Sequence, residues 1–369
     1  MNEQRLVETF LRLVRVNSPS RRESAAMAVA EAHFQRLGFT VQFDDAGAAI
    51  GGDTGNLIAR RAGSAAAEPI FLNAHIDTVQ PTEGIVILHE DGVIRTDGTT
   101  VLGADDKAGV ACILEAIEAL DEEGAPTPPI EVVITIAEEI GLLGSRHFDA
   151  SRIRARSGWV VDSGQPLNAV ITESPSQDKL EFAIHGRAAH AGARPEEGIS
   201  AIGVAARAIS AMPLGRLDFE TTANVGTIQG GQATNIVAPE CRFDAEARSR
   251  DNAKLDAQVK AMVAAVETAA KEAGALVDIN IERVFDAFSA NPDGREVRIV
   301  SEAMRSLGME PTLQRTGGGM DANNFAKQGM RCVVIGCGYK DIHTTAESIA
   351  TADMAAGART LAETIRRAA

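Results

Sequence analysis

The chain has 369 residues, 45% apolar and 24% charged, which fits a water-soluble globular protein long enough for two domains. With 36 basic against 51 acidic residues, a net charge of -15 and a single Trp and Tyr, it lacks the basic, aromatic-bearing surface that nucleic acid requires. No run reaches the length of a membrane span, and the N-terminus lacks the apolar core of a signal peptide. Cys112, Cys241, Cys332 and Cys337 stand singly in apolar surroundings. The expectation is a cytoplasmic protein with buried free thiols and neither nucleic acid nor membrane as partner.

In chain order, Leu6, Phe10, Leu13 and Val14 share one face of an opening helix, and a turn at residues 17–20 leads to a second helix over 23–37 that Gly38 closes. A strand is predicted at 40–43, a Gly- and Asp-rich loop or hairpin at 44–56, and a short strand at 57–59. The apolar run 70–72 reads as a buried strand with His75 and Asp77 at its carboxyl end. Residues two apart on a strand face the same way, so Asp77 can hold the His75 imidazole in one tautomer while its other nitrogen binds a metal.

Hairpin signals at Asp91-Gly92 and Asp97-Gly98 precede Asp105-Asp106, which run into a helix over 110–120. Two acids at a helix start have an ordinary explanation as caps worth about 1 kcal/mol each. A strand at 130–136 ends in Glu138-Glu139, and another at 158–162 ends in Asp162. Acids gathered at the carboxyl ends of strands follow the rule for sites in open α/β sheets. From residue 178 the pattern becomes alternating, and strand, helix, strand, strand, helix, strand follow in turn to about residue 290. That order suits an inserted α+β domain of ferredoxin-like kind, dividing the chain into 1–177, 178–290 and 291–369. The last part returns to an α/β pattern, with a helix over 294–307, a strand at 311–314, a flexible turn at 316–321, a strand at 332–335, His343 and a final helix over 351–367.

If His75, Asp105, Glu139, Asp162 and His343 converge, they form a mixed nitrogen and oxygen donor set that suits zinc and, less tightly, cobalt or manganese. One carboxylate between two cations can bridge them, and such a pair polarises a carbonyl and supplies hydroxide near neutral pH. Glu138 is left over. A carboxylate beside the bridging water, not itself a ligand, can take its proton and hand it to a leaving amine.

The spaced motifs HID, LGADDKAG, AEEIGLLG, VVDSG, GRAAHAG, GGQATN, TGGGMDAN and HTTAE, read in this order, resemble the M20 zinc peptidases and among them the peptidase T-like tripeptide aminopeptidases. The resemblance covers nearly the whole chain. It implies a zinc-exopeptidase-type catalytic domain and makes the inserted domain a lid that also commonly provides a homodimer contact. It implies two divalent ions, zinc before cobalt or manganese, with His75, Asp105, Glu139, Asp162 and His343 as ligands. Asp105 would bridge and precede a cis peptide, Asp77 would orient His75, and Glu138 would be the general base. It further implies that His190 helps stabilise the oxyanion, that Asn235 binds substrate and that Arg248 receives a peptide's terminal carboxylate. The expected reaction is removal of the first residue from tripeptides. The alternative is a carboxypeptidase or N-acyl amino acid deacylase with the same metals, because no acidic residue stands out to hold a free substrate amine.

Overall fold

The computed structural model describes residues 1–164 and 166–369, and these divide into two compact units. Unit 1 comprises Met1–Glu173, Phe288–Thr316 and Met320–Ala369, and unit 2 comprises Ser174–Ala287 with Gly317–Gly319. The inserted unit thus begins and ends a few residues before the boundaries read at 178 and 290. Its first strand starts in the small polar residues Ser176 and Gln177, which carry no apolar alternation, and its last pairs back to them through Phe285.

The first part of unit 1 runs through helices α1 (Glu3–Val14) and α2 (Ser24–Arg36), strand β1 (Thr40–Phe43), the short helix α3 (Ala46–Ile50) and strands β2 (Leu57–Arg61) and β3 (Ile70–His75). The hairpin β4 (Ile87–Glu90) and β5 (Val93–Thr96) turns at Asp91-Gly92, where both residues take positive φ as this tight turn demands. Then come α4 (Ala104–Glu122), β6 (Ile130–Thr135), α5 (Leu143–His147), β7 (Ser157–Val160) and β8 (Ala169–Ser174). α3 replaces part of the expected loop, because Asp44 accepts from the amides of Ala46 and Asn56 and closes the segment on itself.

Unit 2 follows as β9 (Ser176–His185), α6 (Ala201–Ala211), β10 (Gly215–Arg216), β11 (Thr222–Gly230), β12 (Glu240–Ser249), α7 (Asn252–Ala273) and β13 (Leu276–Phe285). Its antiparallel order β11-β12-β9-β13, with β10 added at one edge, is the ferredoxin-like arrangement. Leu180, Phe182 and Ile184 point to one face and pack with Val204 and Ala208 of α6 and Leu255 and Met262 of α7.

Unit 1 resumes with β14 (Phe288–Ser289), α8 (Arg295–Ser306), β15 (Thr312–Arg315), α9 (Asp321–Lys327), β16 (Arg331–Ile335), β17 (Tyr339–Lys340), β18 (Ser348–Ala350) and α10 (Thr351–Ala368). Its main sheet has the order β1-β2-β6-β3-β7-β16-β8-β14, with β15 also paired to β8. Its centre, β6-β3-β7-β16, is parallel, and all four carboxyl ends therefore emerge on one side. Both faces are covered, so β3 and β6 are buried along their whole length. Ile70, Leu72 and Ala74 join the core containing α1, α4 and α10, while Phe71 joins the opposite core with Phe148 and Phe325. β7 lies close to β3 because Gly158 has no side chain to strike Phe71 O. Among the described residues no helix is long and apolar enough to cross a membrane.

Phe325 makes edge-to-face contacts with Phe71 at 5.4 Å and Phe148 at 5.7 Å between ring centroids. Phe325→Ala is expected to lower stability by about 3–5 kcal/mol. Denaturant unfolding followed through the fully buried Trp159, the chain's single tryptophan, reads this loss. A loss under about 1 kcal/mol would show that the second core contributes little.

Candidate metal centre

The site is assembled at the carboxyl ends of those parallel strands. His75 is the last residue of β3, Glu138 and Glu139 follow β6, Asp162 follows β7, and β16 leads through Cys337 and Tyr339 to the loop bearing His343. Asp105 and Asp106, joined by a cis peptide, open α4. Their backbone is non-helical; the Asp105 carboxylate faces the two imidazoles, while Asp106 accepts the Gly109 amide of α4 at 3.1 Å. Gly109, one turn on, lets α4 close onto Val161 O and the Asp106 carboxylate, where any Cβ would collide.

The five expected ligands come together as two donor groups, His75 with Asp105 and Asp162, and Asp105 with Glu139 and His343. In each group the donor atoms lie within 4.8 Å of one another. Asp105 belongs to both. Its Oδ1 lies 3.3 Å from His75 Nε2 and its Oδ2 lies 3.4 Å from His343 Nε2. His343 Nε2 is also 3.0 Å from Glu139 Oε2, and His75 Nε2 is 3.9 Å from Asp162 Oδ1. Asp77 stands behind His75: Nδ1 is 3.0 Å from Asp77 O and 3.3 Å from Asp77 Oδ1, which turns Nε2 toward Asp105 and Asp162. The same carboxylate accepts the amides of Glu138 at 3.0 Å and Glu139 at 3.2 Å, together with the Ser20 hydroxyl at 2.7 Å.

Sequence reasoning assigned no role to Glu347, Tyr339 or Asp321, whereas the family resemblance places Asp106 in support of the ligands. Glu347 is buried, accepting the Gly103 amide at 2.7 Å and the Asp105 amide at 2.9 Å, so it ties the His343 loop to the backbone that carries the shared carboxylate. The Tyr339 hydroxyl donates to Asp162 Oδ1 at 3.0 Å. Asp106 accepts the His75 amide at 3.2 Å. Asp321, at the start of α9, accepts from the Thr135 hydroxyl at the end of β6. The motifs around residues 321 and 347 were visible, but only the fold reveals what their acids touch.

The electrostatics call for cations. Asp77, Asp105, Asp106, Glu138, Glu139, Asp162 and Asp321 are gathered around His75 and His343, and the buried Lys107, which faces Asp77 and Glu347, gives its ammonium hydrogen bond to Val16 O. Burial pushes the carboxyls of Glu138 and Asp106 well above the ordinary range, raises those of Glu139 and Asp321, and lifts Asp162 and Glu347 to about 7. Burial would also raise Asp105, but the two imidazoles beside it hold it below its usual value. Asp105 and Glu139 raise His343 to about 10. Burial alone would lower His75, but Asp105 and Asp77 carry it well above 6.5. Without metal, protons serve as the counter-charge. The buried Glu139 Oε1 has no hydrogen-bond partner, as expected of an oxygen shaped for a ligand other than a protein donor. The residues therefore fit two divalent ions sharing Asp105.

The expected substrate residues lie in unit 2. His190 is exposed, and its Nδ1 accepts the amides of Gly192 at 3.2 Å and Ala193 at 3.1 Å, which leaves the ring proton on Nε2. Asn235 is exposed, its carbonyl accepting the Ala191 amide at 3.0 Å. Arg248 meets Glu246 with two parallel hydrogen bonds of 3.0 Å, and its Nη1 reaches Gly317 O at 3.3 Å.

The profile described as Peptidase family M20/M25/M40 matches residues 71–367. The chain belongs to this family. It is a hydrolytic peptidase of the peptidase T-like kind. The crystal structure of aminopeptidase PepT from Bacillus cereus superposes with a TM-score of 0.91 at 41% identity, covering 100% of this chain and 99% of that one. A tripeptidase from Staphylococcus aureus superposes at 0.95 with 37% identity and the same coverage. The uncharacterized protein YqjE of Bacillus subtilis is 42% identical over 369 residues, the full length of both.

Shared and unshared ligands should separate in metal analysis. Asp105→Ala should lose both ions, whereas Asp162→Ala should keep about one, as read by elemental mass spectrometry after gel filtration. One full equivalent retained in Asp105→Ala would sink the bridging assignment. Because Asp162 titrates at about 7, protons compete with metal below that pH, and bound metal at limiting free ion should fall as pH drops from about 8 to 5. In the metal-free chain the raised carboxyls act in the opposite sense. Their stability contribution is full below the unfolded values near 4 and is lost as pH rises through about 7, so metal should raise Tm more at pH 8 than at pH 6.

Proposed function

We propose that this peptidase removes the N-terminal residue from short peptides, tripeptides above all, using two divalent ions held by His75, Asp105, Glu139, Asp162 and His343. The observation that carries the two-ion reading is the Asp105 carboxylate, whose two oxygens face two imidazoles in two separate donor groups. The donor set suits zinc best, with cobalt or manganese as alternatives. The aminopeptidase direction is supported by full-length likeness to a PepT aminopeptidase and a tripeptidase.

When bound, the ions polarise the scissile carbonyl and acidify water. The protein supplies the rest. Glu138 is buried, belongs to neither donor group and sits beside both on the turn after β6, so its carboxylate is free to take a proton from water and return it to the leaving amine. Burial already raises its pKa, as a base working near neutral pH requires, and Asp77 fixes the Glu138 backbone through its amide. His75 presents Nε2 because Nδ1 is bound behind. The tautomer of His190 supports its role as an oxyanion donor, since Nε2 carries the proton and is not spent on its own loop. Arg248 would offer a substrate carboxylate Nη1, and Asn235 its amide.

Glu138→Ala should retain metal near the wild-type level and lose most turnover, about 10²-fold or more; equal loss of metal and activity would make Glu138 a ligand instead. A panel of a tripeptide, its N-acetyl form, its C-terminal amide and an N-acyl amino acid, each assayed with zinc, manganese or cobalt, tests direction. Release of the first residue from the free tripeptide, with the N-acetyl form inert, is the expected result. Preference for blocked amines bearing a free carboxylate would reassign the enzyme to carboxypeptidase or deacylase chemistry.

A further inference from the structure

Glu23 lies outside the stretch matched by the family profile and far in sequence from the donor groups, yet it is fully buried beside the turn that carries them. It stands at the N-cap of α2 without capping that helix through its side chain. Its Oε1 instead accepts two amides, that of Arg21 at 2.8 Å and that of Ala137 at 3.0 Å. Oε2 has no hydrogen-bond partner. Ala137 is the residue before Glu138 and takes φ +50°, a left-handed conformation that a residue with a Cβ does not adopt without support. The next two amides, of Glu138 and Glu139, go to Asp77. Three consecutive backbone N–H groups are thus gripped by two buried carboxylates, and Glu23 holds the first of them.

The N-terminal segment reinforces this grip. Ser20 bonds Asp77, Ser18 Oγ donates to Ile76 O, and the Thr78 amide donates to Ser18 O, so residues 18–23 lace the end of β3 to the turn after β6. Asp77 acts on both a histidine ligand and the acid pair. The Glu23 side chain, by contrast, hydrogen-bonds among the described residues to the amides of Arg21 and Ala137 and not to a donor residue.

We infer that Glu23 is a positioning residue for the general base, holding Ala137 in its left-handed conformation so that the Glu138 carboxylate is aimed at its working place. The inference rests on Glu138 being the base. A carboxylate displaced by about 1 Å loses on the order of 10²-fold in rate while substrate and metal still bind. The effect should therefore appear in kcat and leave KM and metal content alone.

The test is a series in the metal-loaded full chain. Glu23→Asp keeps the charge but withdraws the oxygens by about 1.5 Å, beyond reach of the Ala137 amide. Glu23→Gln keeps the reach and the accepting oxygen but removes the charge. Glu23→Asp is expected to lose at least about tenfold in kcat, with KM within about twofold and metal content unchanged. Glu23→Gln should stay within about threefold of wild type in kcat. The opposite order, with Asp active and Gln impaired, would overturn the proposal by showing that charge rather than reach matters. Metal lost in step with activity in Glu23→Asp would also overturn it, since Glu23 would then support the ligands. Glu23→Ala is not required, so a fold that cannot tolerate the cavity leaves the test intact. Glu138→Gln is assayed alongside: turnover surviving there overturns the base reading, whereas turnover lost there but intact in Glu23→Asp overturns only this one.

Discussion

A surplus of buried negative charge dominates the carboxyl end of the main sheet, and the surrounding structure answers it. Carboxylates taken out of water are costly unless a cation or several donors face them. Here amides and hydroxyls satisfy part of the demand, as at Asp77, Asp106 and Glu347. Two imidazoles meet another part, and the remainder fits two divalent ions. The donor groups can tolerate this concentration of like charge only because the scaffold holds each acid in place against repulsion from its neighbours.

The scaffold does so by placing four of the five donors at the end of a stiff element. β3, β6, β7 and β16 run parallel with both faces covered, and their register fixes where His75, Glu138, Glu139 and Asp162 emerge. α4 is brought close by Gly109, so Asp105 and Asp106 enter the same space from the side. The most exposed of the donor residues, His343, is the exception. It is half exposed on a loop, with Glu347 tying that loop to the backbone of Asp105. The second donor group is thus less enclosed than the first.

Much of this was legible from local pattern. The apolar runs at 70–72 and 130–136 placed the strands, and acids just beyond them placed the donors. The alternation of Leu180, Phe182 and Ile184 marked the change to an antiparallel sheet. What stayed hidden depended on long-range contacts. β8 and α9 are short and carry little periodicity, and their burial comes from neighbours distant in sequence. Glu23, Tyr339 and Glu347 look in sequence like a helix-start acid, a lone aromatic and a motif ending, and only their partners give them roles. The family resemblance implies that Arg248 receives a substrate carboxylate, but the sequence did not reveal that Glu246 already occupies much of its fork.

The bond between Glu347 and the Asp105 amide spans 242 residues of chain, with the whole inserted unit between its ends. Such a contact closes late in folding, after the local elements on either side have formed. While the chain is being synthesised, His75, Asp105 and Asp162 leave the ribosome before unit 2 is made, but His343 and Glu347 follow it. The first donor group can gather early and the second cannot. The second donor group, and any chemistry that needs both groups, is therefore complete only after the inserted unit has been synthesised.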